Sequence, residues 1–532
     1  MDGLARFLSG AAAAHGSRPA LVRGREIITY DELDRLSRRA AGGLARLGIG
    51  RGDRVAFWLP NVPAYLVLFF ACARLGAVAV AVNTRFRAVE VADIVGRSGA
   101  RLLILWPAFL DIPFVDILAE VDPAALARIE TVVLYGEPGD RPVGALPLAA
   151  RTVTYERLVA GDALAEDRGG RELGCAIFTT SGTTKAPKFV LHAQRSVIDH
   201  ARDAARSFGY DAPDAVLLQA LPLCGVFGFT QALAGLAGGA ALHMQPVFEA
   251  GAAARIIREA RVTQLNGSDD MFGRLFDAAG GAAPFPSLRF GGFAAFSQTP
   301  AETMALAERH GLRLVGLYGM SEVQALFARW SEDLPAAERT DGGGLPVSRT
   351  AAARVRDPES GVLLAPGQSG ELELRGPSLM AGYFENPEAT AAAFAEDGFF
   401  RTGDLGYLRA GGGFVFQTRM GDVLRLGGFL VSPAEIEARL QSHPSVEVAQ
   451  VVGVQTAGGP RAVAFVTAAA GAAIDEEALR AYCRHGLAGY KVPVRVVRLD
   501  AFPTTPSANG SKIQRARLRA MAQALDAAGA GP

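Results

Sequence analysis

The sequence predicts an α/β fold, with a large N-terminal domain of mostly parallel sheets covered by helices, a small β subdomain, and a small C-terminal α+β domain. The 532-residue chain has room for three to four domains of about 150 residues. From residue 54 to about residue 319, short β-branched runs alternate with helical stretches, which is typical of parallel sheets with covering helices. The pattern then changes to glycine-rich hairpins and, near residue 419, to shorter mixed elements. We therefore expect domains at 1–420 and 421–532.

Apolar runs between turn residues mark the individual elements in chain order. The predicted strands of the N-terminal sheets are 54–59, 77–82, 102–105, 131–134, 176–179, 215–218, 288–290 and 312–317. The predicted β subdomain contains the hairpin segments 370–375 and 413–416. The predicted C-terminal elements are the strands 423–426, 429–431, 446–454 and 462–466 and the helices 433–440 and 476–485. Ser432 and Pro433 open the first of these helices, because proline is favoured in a first helical turn.

Composition excludes several classes of protein. Half of the residues are apolar and one fifth are charged, and 54 basic residues balance 54 acidic ones, so the chain is globular and lacks the positive charge that nucleic-acid binding requires. The apolar stretches 64–82 and 215–244 contain polar residues, and neither predicts a membrane span. The start of the chain lacks the pattern of a signal peptide, and the four cysteines show no paired spacing. We expect a cytoplasmic protein without disulfides or an integral membrane segment.

Lysine is scarce in this chain. It occurs only at Lys185, Lys188, Lys491 and Lys512, so arginine supplies the other 50 of the 54 basic residues. An exposed charge is served by either side chain, whereas a compact ammonium differs from a planar guanidinium in a tight phosphate or carboxylate site. The four lysines are therefore candidate functional residues.

A loop rich in hydroxyl groups follows the predicted strand 176–179. Its sequence is Thr180-Ser181-Gly182-Thr183-Thr184-Lys185-Ala186-Pro187-Lys188. Hydroxyls, backbone amides and two lysines make this loop suited to bind a polyphosphate. It lacks the glycine spacing and the terminal Lys-Ser/Thr pair of a Walker loop. Taken alone, the segment could also be a Ser/Thr-rich surface turn.

The loop resembles the phosphate-binding signature of the adenylate-forming superfamily, which contains acyl-CoA synthetases, peptide-synthetase adenylation domains and luciferases. Further motifs resemble the same family, in its order, and cover nearly the whole chain: Tyr318-Gly319-Met320-Ser321-Glu322, Gly370-Glu371-Leu372, Gly382-Tyr383, Thr402-Gly403-Asp404, Arg419, Gly427-Gly428, Pro433-Ala434-Glu435-Ile436-Glu437 and Lys512-Ile513-Gln514-Arg515. The segment Asn83-Thr84-Arg85-Phe86, followed by Glu90, is more similar to acyl-CoA synthetases than to peptide-synthetase domains.

The resemblance implies that ATP activates a small carboxylic acid as an acyl adenylate, with Mg²⁺ bound, and that CoA then accepts the acyl group. The implied ATP and AMP site consists of Thr180, Ser181, Gly182, Thr183, Thr184, Lys188, Gly292, Phe293, Tyr318, Gly319, Asp404 and Arg419. The implied catalytic residues are Lys512, Ser321, which would bond the α-phosphate, and Glu322, which would hold the metal. Tyr318 would stack on adenine and Asp404 would accept from the ribose hydroxyls, although a core aromatic and a turn carboxylate are the plainer alternatives.

The resemblance also implies a mobile C-terminal domain that presents Lys512 for the first step and another face for the second. It assigns the hinge to Gly421, where glycine can absorb a large change in φ and ψ. It assigns CoA binding to Gly427, Gly428 and Lys491; for Lys491, a structural salt bridge is an equal alternative. The residues assigned to the acyl pocket are Cys224, Gly225, Gly316 and Met320.

The sequence departs from the family pattern in several places. Lys185 and Phe189 replace glycines of the phosphate loop, and Ser511 replaces the glycine before Lys512. Ser268-Asp269-Asp270 replaces an apolar segment, which predicts either a polar substrate group or a helix N-cap, and we favour the N-cap. Two alternatives to CoA ligation stay open: an adenylating enzyme that passes the acyl group to a carrier protein or to oxidation, and a catalytically silent nucleotide-binding protein.

Overall fold

A computed structural model describes residues 3–110, 112–137, 140, 144–180, 187–281, 283–295, 300–420, 424–426, 429–431, 433–456, 459–487, 489–507 and 510–529. The strands up to residue 420 are β1 (Pro19–Arg23), β2 (Glu26–Thr29), β3 (Arg54–Trp58), β4 (Val78–Ala81), β5 (Leu102–Leu105), β6 (Thr131–Leu134), β7 (Arg151–Thr154), β8 (Gly174–Thr179), β9 (Phe189–Ala193), β10 (Val216–Gln219), β11 (Ala241–Met244), β12 (Gln264–Ser268), β13 (Phe290–Ala294), β14 (Leu314–Tyr318), β15 (Ala328–Arg329), β16 (Gly343–Pro346), β17 (Ala352–Arg356), β18 (Gly370–Arg375), β19 (Gly382–Tyr383), β20 (Phe400–Leu408) and β21 (Phe414–Arg419).

Helices connect and cover these strands. They are α1 (Leu4–His15), α2 (Tyr30–Arg46), α3 (Pro63–Leu75), α4 (Ala88–Ser98), α5 (Phe114–Glu120), α6 (Pro123–Leu126), α7 (Tyr155–Ala160), α8 (Gln194–Phe208), α9 (Val226–Gly238), α10 (Ala250–Glu259), α11 (Asp269–Ala279), α12 (Pro300–Arg309), α13 (Ala336–Arg339) and α14 (Pro387–Ala393), with a 3-10 turn at Ser321–Val323.

Two large sheets hold the N-terminal part together. One has eight strands in the order β19-β9-β8-β4-β3-β5-β6-β7, and the other has thirteen in the order β17-β18-β20-β21-β16-β15-β14-β13-β12-β10-β11-β1-β2. Strands β3 to β7 and β10 to β14 pair in parallel wherever they are neighbours. The predicted hairpin segments become the antiparallel end of the thirteen-stranded sheet, joined to its parallel part through β15 and β16.

The apolar stretch near residue 64 forms a helix of the protein core. Every residue of α3 is buried, including Arg74, whose guanidinium bonds Ser37 and both oxygens of Asp167. Pairing with a carboxylate is what allows a charged group to remain at such a position. No helix in the described ranges is long and apolar enough to cross a membrane.

The described ranges of the C-terminal part form three small sheets. Its elements are β22 (Leu424–Leu426), β23 (Phe429–Val431), α15 (Pro433–Gln441), β24 (Val446–Thr456), β25 (Gly459–Ala468), α16 (Glu476–Gly486), β26 (Arg495–Arg498), β27 (Thr504–Ser507), β28 (Gly510–Ile513) and α17 (Arg515–Gly529), with a 3-10 turn at Gly489–Lys491. Strands β24, β25 and β26 form one sheet, and β22–β23 and β27–β28 are two-stranded. This α+β content confirms the predicted fold class. The boundary at 420/421 stays a prediction, because residues 421–423 lie outside the described ranges.

Candidate active site

The centre of the candidate site is a buried carboxylate–phenol pair. Tyr318, the last residue of β14, donates from Oη to Asp404 Oδ2 at 2.6 Å, and both residues are almost fully buried. Asp404 lies on β20, directly opposite Arg419 of β21 in the antiparallel register. The fold thus joins two motifs that lie 86 positions apart in the chain.

One oxygen of Asp404 is available to a ligand. Arg419 Nε lies 3.0 Å from Asp404 Oδ1, an ion-pair distance, yet this buried oxygen accepts no hydrogen bond from the part of the chain that the structure describes. A buried acceptor without a donor is unfavourable, and a ligand hydroxyl would satisfy it. The geometry fits the predicted role of Asp404 at a ribose hydroxyl, and that role stays a prediction.

Burial dominates the electrostatics of Asp404. It raises the pKa of the carboxyl from 3.8 to about 6, against the opposing effects of Arg419 and of the Tyr318 hydroxyl. Burial, together with the Asp404 charge, raises the pKa of Tyr318 well above its usual value. The phenol therefore stays protonated and acts as a donor, while the carboxylate is ionised at neutral pH.

The Tyr318 ring is part of the core. It packs edge to face on Phe414, with ring centroids 5.0 Å apart, and it also contacts Phe416 at 5.7 Å. These contacts are those of a core aromatic, which was the plainer of the two roles that the sequence left open for Tyr318. Stacking of adenine on Tyr318 stays a prediction.

A second buried carboxylate lies after the same strand. Glu322 belongs to the 3-10 turn Ser321–Val323, and its Oε1 accepts from Tyr383 Oη at 2.9 Å. Lys188 Nζ lies 4.5 Å from the centre of the Tyr383 ring, a cation–π distance. Lys188 and Glu322, which were both predicted site residues, are therefore linked through one tyrosine.

The residues around Glu322 fit a magnesium ion. Mg²⁺ binds proteins through one or two carboxylates and takes its other ligands from phosphates and water. Within the described ranges, no group of three or more His, Cys, Asp or Glu side chains could hold a metal ion by itself. Glu322 is one carboxylate of this kind, and its role as the metal ligand stays a prediction.

The predicted phosphate loop leaves and rejoins the eight-stranded sheet at one point. Thr180 N donates to Lys188 O at 3.0 Å, and Lys188 N donates to Thr180 Oγ1 at 3.3 Å, which closes the loop between the antiparallel strands β8 and β9. Ser181, Gly182, Thr183, Thr184 and Lys185 lie outside the described residues. Phe189 begins β9 as a buried residue, and the Arg97 guanidinium lies 4.4 Å from the centre of its ring.

The predicted glycines of the site permit close packing. A Cβ at Gly319 would collide with Cα of Ala325, and one at Gly292 would collide with Asn266 Oδ1. A Cβ at Gly316 would collide with the Asp341 carbonyl, which gives this glycine a packing role; its assignment to an acyl pocket stays a prediction. Phe293, on β13 beside Gly292, is buried in an apolar cluster.

The other residues that the resemblance assigns to an acyl pocket lie on two loops, and this assignment stays a prediction. Cys224 is half-buried, and Gly225 caps α9. Asn61 holds this loop, because its Oδ1 accepts from Leu223 N at 2.7 Å and its Nδ2 donates to Leu221 O at 2.9 Å. Met320 follows the site tyrosine and is half-buried.

The polar segment at residue 268 is a helix cap. Ser268 Oγ accepts from Met271 N at 3.2 Å at the start of α11, which is the favoured alternative of the sequence analysis. Asp270, the third residue of the segment, is exposed and lies 3.6 Å from Arg274. The cap accounts for Ser268, and a polar substrate group near this segment stays a prediction.

Lys512 lies on β28, one strand of the hairpin β27–β28. It pairs with Thr505 across β27–β28, and the following Gln514 donates from Nε2 to Thr505 Oγ1 at 2.8 Å. Arg515 then donates to Glu437 Oε1 at 2.7 Å and to Val451 O at 3.1 Å. The residues after Lys512 thereby fix the hairpin to the core of the C-terminal part.

The predicted CoA site is partly described. Lys491 forms an ion pair with Glu435 at 2.5 Å, which is the structural alternative that the sequence left open. Its contact with a CoA phosphate stays a prediction. Gly421, Gly427 and Gly428 lie outside the described residues.

Sequence reasoning did not assign a role to Tyr383. The residue was part of a matched motif, Gly382-Tyr383, but its bond to Glu322 spans 61 positions and needs the pairing of β19 with β9. A tyrosine directly after glycine in that motif was the available signal.

Comparisons with known proteins show what this chain is similar to. The family model described as AMP-binding enzyme matches residues 8–384, and that of the AMP-binding enzyme C-terminal domain matches residues 435–509. A feruloyl-CoA synthase from Amycolatopsis sp is 32% identical over 92% of this chain and 93% of its own length. Triostin synthetase I from Streptomyces triostinicus is 32% identical over 98% of this chain and 94% of its own. The crystal structure of ATP-bound MatB from Rhodopseudomonas palustris is similar with a TM-score of 0.84 and 26% identity, covering 98% of this chain and 99% of that one.

Proposed function

The chain belongs to the AMP-binding enzyme family, and from this premise we propose that it joins a small carboxylic acid to CoA at the expense of ATP, through an acyl adenylate. The observation that carries the proposal is the group Tyr318–Asp404–Arg419 beside the buried Glu322. It offers an acceptor for ribose, a cation for phosphate and a carboxylate for Mg²⁺. These are the needs of a bound Mg–ATP.

The first step forms one bond and breaks one. A carboxylate oxygen of the acid attacks the α-phosphorus of ATP, and the bond from that phosphorus to the bridging oxygen breaks, so that pyrophosphate leaves with the electron pair. The acid becomes a mixed anhydride with AMP. Carboxylate and triphosphate are both anions, so fixed positive charge must neutralise them as they approach. We assign this work to Lys188 at the phosphates and to Lys512 at the carboxylate and α-phosphate.

The metal would contribute charge neutralisation on the phosphate oxygens when bound. Glu322 would hold it, and Tyr383 would orient that carboxylate through the 2.9 Å hydrogen bond. Ser321, half-buried at the start of the same turn, would donate to the α-phosphate.

In the second step, the CoA sulfur attacks the acyl carbon and the C–O bond to AMP breaks, which gives a thioester and free AMP. We propose that the C-terminal domain turns about Gly421 between the steps. Lys512 serves the first step, and a face with Gly427, Gly428 and Lys491 admits CoA for the second. Missing side chains at two successive glycines would let the thin pantetheine arm pass.

Pyrophosphate release with a panel of carboxylic acids, with and without CoA, tests this function. We expect release that depends on one acid, together with a CoA thioester of that acid by mass spectrometry. An acid that supports pyrophosphate release but never gives a thioester would favour a carrier-protein acceptor. ATP binding without release for any acid would favour the silent alternative and contradict the proposal.

A further inference from the structure

Two buried histidines contact the backbone of the segment that carries Ser321 and Glu322. His192 Nε2, on β9, lies 2.8 Å from Ser321 O, and His200 Nε2, on α8, lies 2.9 Å from Ala325 O. Both rings are at most 1% exposed. A carbonyl oxygen only accepts, so each ring must carry its proton on Nε2 and donate it.

The second nitrogen of each ring lacks a hydrogen-bond partner within the described ranges. The Nδ1 atoms of His192 and His200 are buried and accept no hydrogen bond in the described part of the chain. Burial lowers the pKa of both imidazoles to about 4, so both are neutral donors at physiological pH. Burying a polar ring while its Nδ1 lacks a partner is unfavourable. We therefore ask what the bond that each Nε2 donates contributes to the site.

The segment that they contact is strained. Gln324, Ala325 and Leu326 have positive φ values of 62°, 46° and 42° in succession. Residues other than glycine rarely adopt this left-handed region, and a run of three needs bonds from its surroundings to persist. Such strain is concentrated at functional sites.

Further bonds complete the restraint. Thr230 Oγ1, on α9, donates to Gln324 O at 2.6 Å, and the Gln324 side chain donates to Ser378 O at 3.0 Å. Gly319 allows Ala325 to pack against it, where a Cβ would collide. The carbonyls held by the two histidines lie on either side of Glu322, so the restraint fixes the backbone from which Ser321 and Glu322 project.

We infer that His192 and His200 are positioning residues that clamp the strained segment 319–326, and thereby set the orientation of Ser321 and Glu322 toward Mg–ATP. This inference rests on the proposed adenylation for its effect on turnover. The clamp itself is a property of the free protein. Neither histidine is expected to touch a substrate.

The test uses matched variants of the full-length protein. His192→Leu and His200→Leu remove the donor and fill its place with an apolar side chain. His192→Gln and His200→Gln place an amide donor near the former Nε2. His243→Leu is the control, because His243 is a half-buried histidine on β11 of the thirteen-stranded sheet. Hydrogen exchange of the Ala325 amide, which donates to Met320 O at 2.9 Å, reports on the segment directly.

We expect each leucine variant to exchange the 320–326 amides at least about tenfold faster than the native protein, as the loss of one buried hydrogen bond implies. Exchange elsewhere should stay unchanged. In the acid-dependent reaction, KM for Mg–ATP should rise and kcat of adenylation should fall, each about tenfold. Thioester formation from supplied acyl-AMP should be spared, and the glutamine variants should recover.

A general loss of folded protein would lower both half-reactions equally and leave KM unchanged, and that result would overturn the inference. Unchanged exchange at 320–326 in both leucine variants would also overturn it. Failure of the native protein to release pyrophosphate with any acid would count against the proposed function alone. In that case, the exchange measurement still decides whether the clamp exists.

Discussion

At the scale of single residues, Asp404 is the most informative group in the protein. Its carboxyl is buried beside Tyr318 and Arg419, and its pKa of about 6 lies in a pH range in which binding and unfolding can be measured. The unfolded carboxyl titrates near 3.8, so between 3.8 and about 6 the folded state holds the extra proton. Deprotonation of Asp404 therefore lowers the free energy of unfolding as the pH rises through this window.

The same titration should govern nucleoside binding. We expect the inhibition constant of adenosine against ATP to rise about tenfold from pH 7 to pH 5, because the protonated carboxyl is a poorer acceptor for ribose. Adenosine is the probe because its own charge does not change in this range. Asp404→Asn should bind weakly at every pH, and Asp277→Asn, an exposed carboxylate on α11, should behave as the native protein does. A flat native profile would contradict the assignment.

Tyr383 should act through Glu322. Tyr383→Phe removes the hydroxyl that donates to Glu322 Oε1, and the carboxylate then loses its orientation. We expect the Mg²⁺ concentration for half-maximal adenylation to rise about tenfold, as is usual when a hydrogen bond to a metal ligand is lost. Tyr407→Phe, which changes a half-buried tyrosine of β20, is the matched control. An unchanged magnesium requirement in Tyr383→Phe would exclude this role.

At the scale of the element, the segment after β14 is tightly packed against its own backbone. Gly319→Ala would place a methyl group against Cα of Ala325, and backbone atoms cannot move aside cheaply. We expect the free energy of unfolding to fall by about 1–3 kcal/mol. The adenylation rate should fall by a larger factor than the concentration of folded protein does. Gly273→Ala, at an open position of α11, should be neutral or slightly stabilising in urea unfolding. Equal free energies of unfolding for Gly319→Ala and Gly273→Ala would contradict the close packing at Gly319.

Elements of uniformly apolar or β-branched composition could be predicted from the sequence. Strands β5 and β6 form at 102–105 and 131–134 as predicted, because Leu, Ile, Val and Thr suit a strand buried on both faces. Strand β12, Gln-Leu-Asn-Gly-Ser, could not be predicted. All five of its residues are buried, but the amide of Asn266 has its partner in the Tyr210 hydroxyl, 56 positions away. Local pattern carries no information about such partners.

The same limit applies to the site. Tyr318, Asp404, Glu322 and Lys188 could each be predicted from motifs, because the chemistry selects their residue types. Their pairing could not, since it depends on which strands the fold brings together. The histidine clamp is the extreme case, because it joins side chains to main-chain carbonyls 129 and 125 positions away, and a carbonyl has no sequence signature.

At the scale of the whole molecule, the function that we propose needs two parts that cooperate. The Tyr318–Asp404 pair belongs to the thirteen-stranded sheet, and Lys512 belongs to a separate hairpin of the C-terminal part. Gln514 bonds the hairpin strand β27, and Arg515 bonds Glu437 of α15 in the same part. Lys512 would then be delivered to the nucleotide by movement of the whole C-terminal part.

Lys512→Ala should separate the two half-reactions. We expect adenylation to fall about 10²- to 10³-fold, as for loss of one fixed donor at a developing charge, while thioester formation from supplied acyl-AMP stays within about threefold. Lys491→Ala should do the reverse, with KM for CoA raised and adenylation unchanged. Equal loss of both steps in Lys512→Ala would contradict the division of labour between two faces of one domain.

The central claim, that an oxygen of the acid attacks the α-phosphorus of ATP, is tested most directly by isotope transfer. The protein converts an acid labelled with ¹⁸O in both carboxylate oxygens to its CoA thioester. The mass of the AMP product is then measured by mass spectrometry. We expect AMP that carries one labelled oxygen for each thioester formed. Thioester formation with unlabelled AMP, or with the label in free inorganic phosphate, would contradict attack of the acid on the α-phosphorus.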